Sequence, residues 1–82
     1  MELSIRVGNK GTLMTREAAQ IAERIKLHDA TVLLRRENIT VNAKSLLGLL
    51  SLQLQEGEGV TIIAKGEDEA QAVCAMAQLM GA

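Results

Sequence analysis

The sequence predicts an α+β fold, a two-layer open-faced sandwich with a four-stranded antiparallel sheet covered on one face by three helices. Three observations lead there. Apolar and polar residues alternate with period two in several segments, the mark of strands with one buried face. Other segments repeat apolar residues three and four apart, the mark of helices with one buried stripe. Their order along the chain is β-α-β-β-α-β-α, and four half-buried strands need a cover that three amphipathic helices can supply.

Glu2 to Val7 opens the chain as a strand, with Leu3, Ile5 and Val7 on one face and Glu2, Ser4 and Arg6 on the other. Gly8-Asn9-Lys10-Gly11 supplies turn chemistry, and Thr15 is the N-cap candidate for a helix carrying Ala18, Ile21, Ala22 and Ile25. Thr31 to Leu34 and Ile39 to Asn42 form a hairpin around the polar run Arg35-Arg36-Glu37-Asn38. Ser45 caps a leucine-rich helix that runs to about Gln53, and Val60 to Ala64 is the fourth strand. Glu67, Asp68 and Glu69 stand where a helix amino terminus is partially positive. Ala70, Val73, Cys74, Ala77 and Met80 then make the stripe of the last helix, closed by Gly81.

Composition narrows the function. Eighty-two residues make one domain, 1–82, with no internal repeat or linker. No aromatic residue is present, so no side chain can stack on a base, and a net charge of −1 draws in no phosphate backbone. Nucleic acid is therefore a poor partner. The longest greasy segment, Leu46 to Leu52, is interrupted by Gly48 and Ser51 and falls far short of the ~20 residues of a membrane span. No signal-peptide pattern is visible, and the single cysteine excludes an internal disulfide, so a cytoplasmic protein is expected.

The residues that carry chemistry in other proteins are sparse. His28 is the only histidine, and a metal site would need several converging ligands, so a surface residue favoured by the helix dipole is expected. Cys74 on the apolar stripe is expected to be buried rather than nucleophilic. The Gly8-Asn9-Lys10-Gly11 spacing also occurs in RNA-clamping loops, but there it joins two helices, and here it reads as an ordinary turn. The segment from Val41 to Leu52 is more informative. Leu46, Leu47, Leu49, Leu50 and Leu52 are too many for one-sided burial, so with Leu49 and Leu52 inward, Leu46, Leu47 and Leu50 are expected in solvent around the capping Ser45. A phosphate on that serine would lie at free N–H groups beside Lys44 and change the charge of the patch by almost two units.

Val41 to Leu52, Val60 to Glu69 and the Thr15-Arg16-x-Ala18-Ala19 string resemble the HPr family, the phosphocarrier proteins of the bacterial sugar phosphotransferase system. The resemblance spans nearly the whole chain and implies sheet order 1-4-2-3. The family's carrier motif reads Gly-Leu-His-Thr-Arg-Pro-Ala-Ala, and an ungapped alignment puts Met14 at its histidine and Glu17 at its proline. A thioether forms no transferable phosphoramidate, so carrier chemistry is expected to be lost. His28, about eleven helical residues along at about 1.5 Å each, would stand roughly 16 Å away. Ser45 falls on the serine that HPr kinase/phosphorylase modifies. Leu46, Leu47 and Leu50 fall on the positions that dock enzyme I, that kinase and the catabolite control transcription factor. In pattern the chain is similar to the catabolite repression branch of the family.

The expected function is thus a non-catalytic regulatory phosphoacceptor, modified at Ser45, with Arg16 and Lys44 flanking the leucine patch. No cofactor or metal is implied. Its rivals are an active phosphocarrier and an interaction or structural module that reuses the fold without phosphorylation. A hinge at Gly8 to Gly11 with an exposed leucine surface leaves room for a homodimer by strand exchange.

Overall fold

A computed structural model describes residues 1–8 and 15–81. The elements are β1 (Glu2–Arg6), α1 (Thr15–Ile25), β2 (Thr31–Arg36), β3 (Ile39–Asn42), α2 (Leu46–Ser51), β4 (Gly59–Lys65) and α3 (Glu69–Leu79). The strands form one antiparallel sheet in the order β1-β4-β2-β3, with the helices over one face. The expected architecture and strand order both hold.

Register explains the core. Leu3, Ile62, Leu34 and Val41 pair across all four strands, and Val32 pairs with Ala64 in the two central ones. Period-two alternation turns these side chains toward the helices. Ile21, Ala22 and Ile25 of α1, Leu49 of α2 and Ala72, Val73 and Met76 of α3 meet them there, all buried. The other face pairs Ser4 with Thr61 and Thr61 with Arg35, and the Ser4 and Thr61 hydroxyls lie 3.1 Å apart.

Several local expectations are corrected. Leu3 has the inward register but is 41% exposed, because β1 lies at the sheet edge. The β2–β3 hairpin turns on Glu37 and Asn38 alone, leaving Arg35 and Arg36 in the strand. The positive φ falls on Glu37, at 55°, and not on the more tolerant Asn38. Thr15 is the first residue of α1 rather than its cap. α2 ends at Ser51, and Gln53 beyond it takes φ 52°, which turns the chain and brings Leu54 into the core.

The face of α3 also differs. Cys74 and Ala70 are exposed, and the buried stripe is Ala72, Val73, Met76 and Met80. The helix is apolar nearly all round, so periodicity alone did not set its rotation. The bulk of Met76, fully buried against the sheet, does.

Candidate functional site

The candidate site is the loop from Asn42 to Ser45 and the helix behind it. β3 ends at Asn42, whose Oδ1 accepts the Lys44 N–H at 2.8 Å and whose carbonyl accepts the Ser45 N–H at 3.0 Å. An asparagine side chain that bonds its own backbone two residues on makes a tight turn, so the sequence itself folds this loop. Ala43 is fully buried and its N–H donates to the Val32 carbonyl at 2.9 Å, anchoring the turn to β2.

Ser45 then caps α2 as expected. Its Oγ accepts the Gly48 N–H at 3.1 Å and its carbonyl accepts the Leu49 N–H at 3.0 Å. Its backbone is extended, as an N-cap requires. The side chain is half-buried, and the first turn of α2 holds no acidic residue.

The leucines divide differently from the expectation. Leu49 and Leu52 are buried, and Leu47 is 78% exposed. Leu46 and Leu50, expected in solvent, are half-buried and pack against the core. With six helical residues, α2 is short enough that α1 beside it and the end of β3 reach its flanks. Leu47 is therefore the fully solvent-facing leucine of α2.

The two cations also separate. Arg16 is exposed on the first turn of α1. Lys44 does not flank the patch freely: its Nζ donates to the His28 carbonyl oxygen at 2.8 Å. His28 is not at a helix end but in the turn after α1, where its Nδ1 lies 3.1 Å from Asp68 Oδ2. Asp68 precedes α3 and makes no side-chain bond to that helix. Its carboxylate instead accepts the Ala30 N–H at 2.8 Å and the Asp29 N–H at 3.1 Å. Burial raises the Asp68 carboxyl, but the Ala30 and Asp29 N–H groups and the His28 ring together hold it below its ordinary value.

This clamp was not legible in the sequence, where Asp68 looked like a helix-end charge. A glycine does mark the place. Gly66 has φ 147°, and a Cβ there would stand 2.8 Å from the Ala30 Cα, so the chain needs a glycine for this close approach. A groove of about 270 Å³ adjoins the clamp, lined by Arg24, Leu27, His28, Ala75, Gln78 and Leu79.

Among the described residues no cluster of three His, Cys, Asp or Glu could hold a metal ion, and no helix is long and apolar enough to cross a membrane. The turn and hinge assigned to Gly8 to Gly11 fall almost wholly outside the described residues.

The chain matches the family model described as "PTS HPr component phosphorylation site" over residues 1–82. It is 37% identical over 73 residues to the HPr-like protein Crh of Bacillus subtilis, covering 89% of this chain and 86% of that protein. It is 32% identical over 76 residues to the phosphocarrier protein HPr of Treponema pallidum, covering 93% and 86%. The crystal structure of HPr-C-His from Thermoanaerobacter tengcongensis superposes with a TM-score of 0.89 at 32% identity, covering 98% of this chain and 90% of that one.

One expectation is overturned here. The position corresponding to the carrier histidine holds a threonine, not Met14. The ungapped count places Met14 there, one residue ahead of the helix, but α1 itself opens on Thr15 and Met14 lies outside the described residues. The side chain there thus carries a hydroxyl and is not an inert thioether.

Proposed function

This chain belongs to the HPr family, and on that premise we propose that it is a regulatory member whose phosphoacceptor is Ser45 and whose docking contact is Leu47. The observation that carries this reading is the Ser45 hydroxyl at the start of α2, half-exposed and 3.1 Å from the Gly48 N–H. A phosphate on that oxygen adds ~1.5–2 negative charges and three strong acceptors next to an apolar anchor that is 78% exposed. Charge placed beside an apolar docking residue changes partner choice without refolding the domain.

The modifying partner in this reading is an HPr kinase/phosphorylase working in the cytoplasm. The phosphotransferase-system proteins and the catabolite control transcription factor are the candidates that read the modified and unmodified surfaces. Leu46 and Leu50 support Leu47 from below rather than meeting a partner themselves. Arg16, exposed on neighbouring α1, adds a cation that pairs with a partner's carboxylate.

A carrier reading draws nothing from the chain's single histidine, because His28 follows the far end of α1 and faces Asp68. Two parallel incubations separate the readings. With HPr kinase/phosphorylase and ATP the protein should take up one phosphate, and Ser45→Ala should take up none. With enzyme I and phosphoenolpyruvate it should stay unlabelled. Label in the second incubation, or label that survives in Ser45→Ala, contradicts the proposal.

A further inference from the structure

We propose that Lys44 is a positioning residue for Ser45, an internal strap that holds the phosphoacceptor loop against the turn after α1, with Asp68 bracing that turn from the other side. The inference rests on the phosphoacceptor reading of Ser45. It departs from the sequence expectation, in which Lys44 meets a partner or the phosphate.

The bonds form one chain across the fold. Asp68, at the start of α3, holds the N–H groups of Asp29 and Ala30 and faces the His28 ring. The carbonyl of that same His28 receives the Lys44 ammonium, sixteen residues on, at 2.8 Å. Lys44 is followed by Ser45, whose Oγ receives the Gly48 N–H. Asn42 fixes the loop locally, but its bonds span only two or three residues and tie the loop to itself. The bond from Ala43 to Val32 secures its β2 side. On the α1 side the described tie is the lysine. A charged donor on a half-buried carbonyl is stronger than a neutral pair, so this tie matters to where the serine sits.

Phosphoryl transfer is sensitive to placement of the attacking oxygen, and a displacement of ~1 Å can cost ~100-fold in rate. A looser strap therefore lowers turnover at Ser45. A lost docking contact weakens binding instead, so the two roles of Lys44 separate in kinetics.

The experiment compares wild type, Lys44→Met, Lys44→Arg and Asp68→Asn with HPr kinase/phosphorylase and ATP, reading kcat and KM for the protein substrate. Hydrogen exchange at the Gly48 amide is followed in the same variants without kinase. Lys44→Met should lower kcat about tenfold with KM nearly unchanged, and should speed Gly48 exchange about tenfold. Lys44→Arg, which keeps a charged donor, should recover most of both. Asp68→Asn should move both in the direction of Lys44→Met by a smaller factor. Unchanged Gly48 exchange in Lys44→Met overturns the strap. A raised KM with kcat intact overturns the positioning role and makes Lys44 a docking residue. No phosphate on wild type sinks the phosphoacceptor reading and the positioning role with it, while exchange still decides whether the strap exists.

Discussion

Replacing Ser45 by alanine tests the cap separately from any phosphate. The change removes one acceptor, the Oγ that takes the Gly48 N–H at 3.1 Å. α2 has six residues, no acid in its first turn and no base in its last, so no other side-chain charge supports its ends. Gly48 is half-buried, and water replaces the lost acceptor only in part. N-cap replacements of this kind cost ~1 kcal/mol, within a range of ~0.5–2. For a domain of this size each kcal/mol lowers Tm by ~4–8 °C. Ser45→Asp keeps a good cap and adds a negative charge at the helix start, so it should melt at or above wild type. With no aromatic residue the chain is silent in near-ultraviolet and fluorescence measurements, so far-ultraviolet circular dichroism or calorimetry is the assay. An alanine variant that melts with wild type, or an aspartate variant that melts below the alanine one, refutes the capping argument.

Leu47→Glu should leave stability within ~0.5 kcal/mol while raising the kinase KM, whereas Leu49→Ala, in the core, should cost ~2–5 kcal/mol in denaturant titration. Asp68 titrates lower in the folded chain than its ordinary value of 3.8, so its contribution is complete above that pH and fades as pH falls through the lower folded value. Asp68→Asn should therefore be less stable than wild type at pH 7, with the gap closing below pH 3.8, as followed by melts across an acid series. Cys74 is exposed, so a thiol reagent should modify the native protein without denaturant; a thiol that reacts only on unfolding would restore the buried stripe first read from the sequence.

The fold was legible because its signals are local and repeat. Alternation in Val32–Leu34 and Val60–Ala64, the stripe of α1, and a serine ahead of a leucine run each point to one element. Where several positions satisfied the same rule, the sequence left a choice that packing made. α3 is apolar on most sides, so Cys74 and Met76 competed for the core and the larger side chain won. Leu46, Leu47 and Leu50 looked alike in the sequence, and only the short length of α2 beside α1 separates the exposed one from its half-buried neighbours. Ser45 was visible from its place in the string, but the partners of Lys44 and Asp68 were not. Their bonds reach sixteen and thirty-eight or more residues away, and apart from the His28 ring the partners are backbone atoms, which carry little signature of residue type. Met14 is not the residue at the histidine position, and no periodic pattern fixes the register of that segment.

The most direct measurement is a fragment map by mass spectrometry of the protein after HPr kinase/phosphorylase and ATP. The account predicts a single phosphate confined to the fragment that contains Ser45. A map that puts the phosphate on any other residue, or an intact mass without it, contradicts the account.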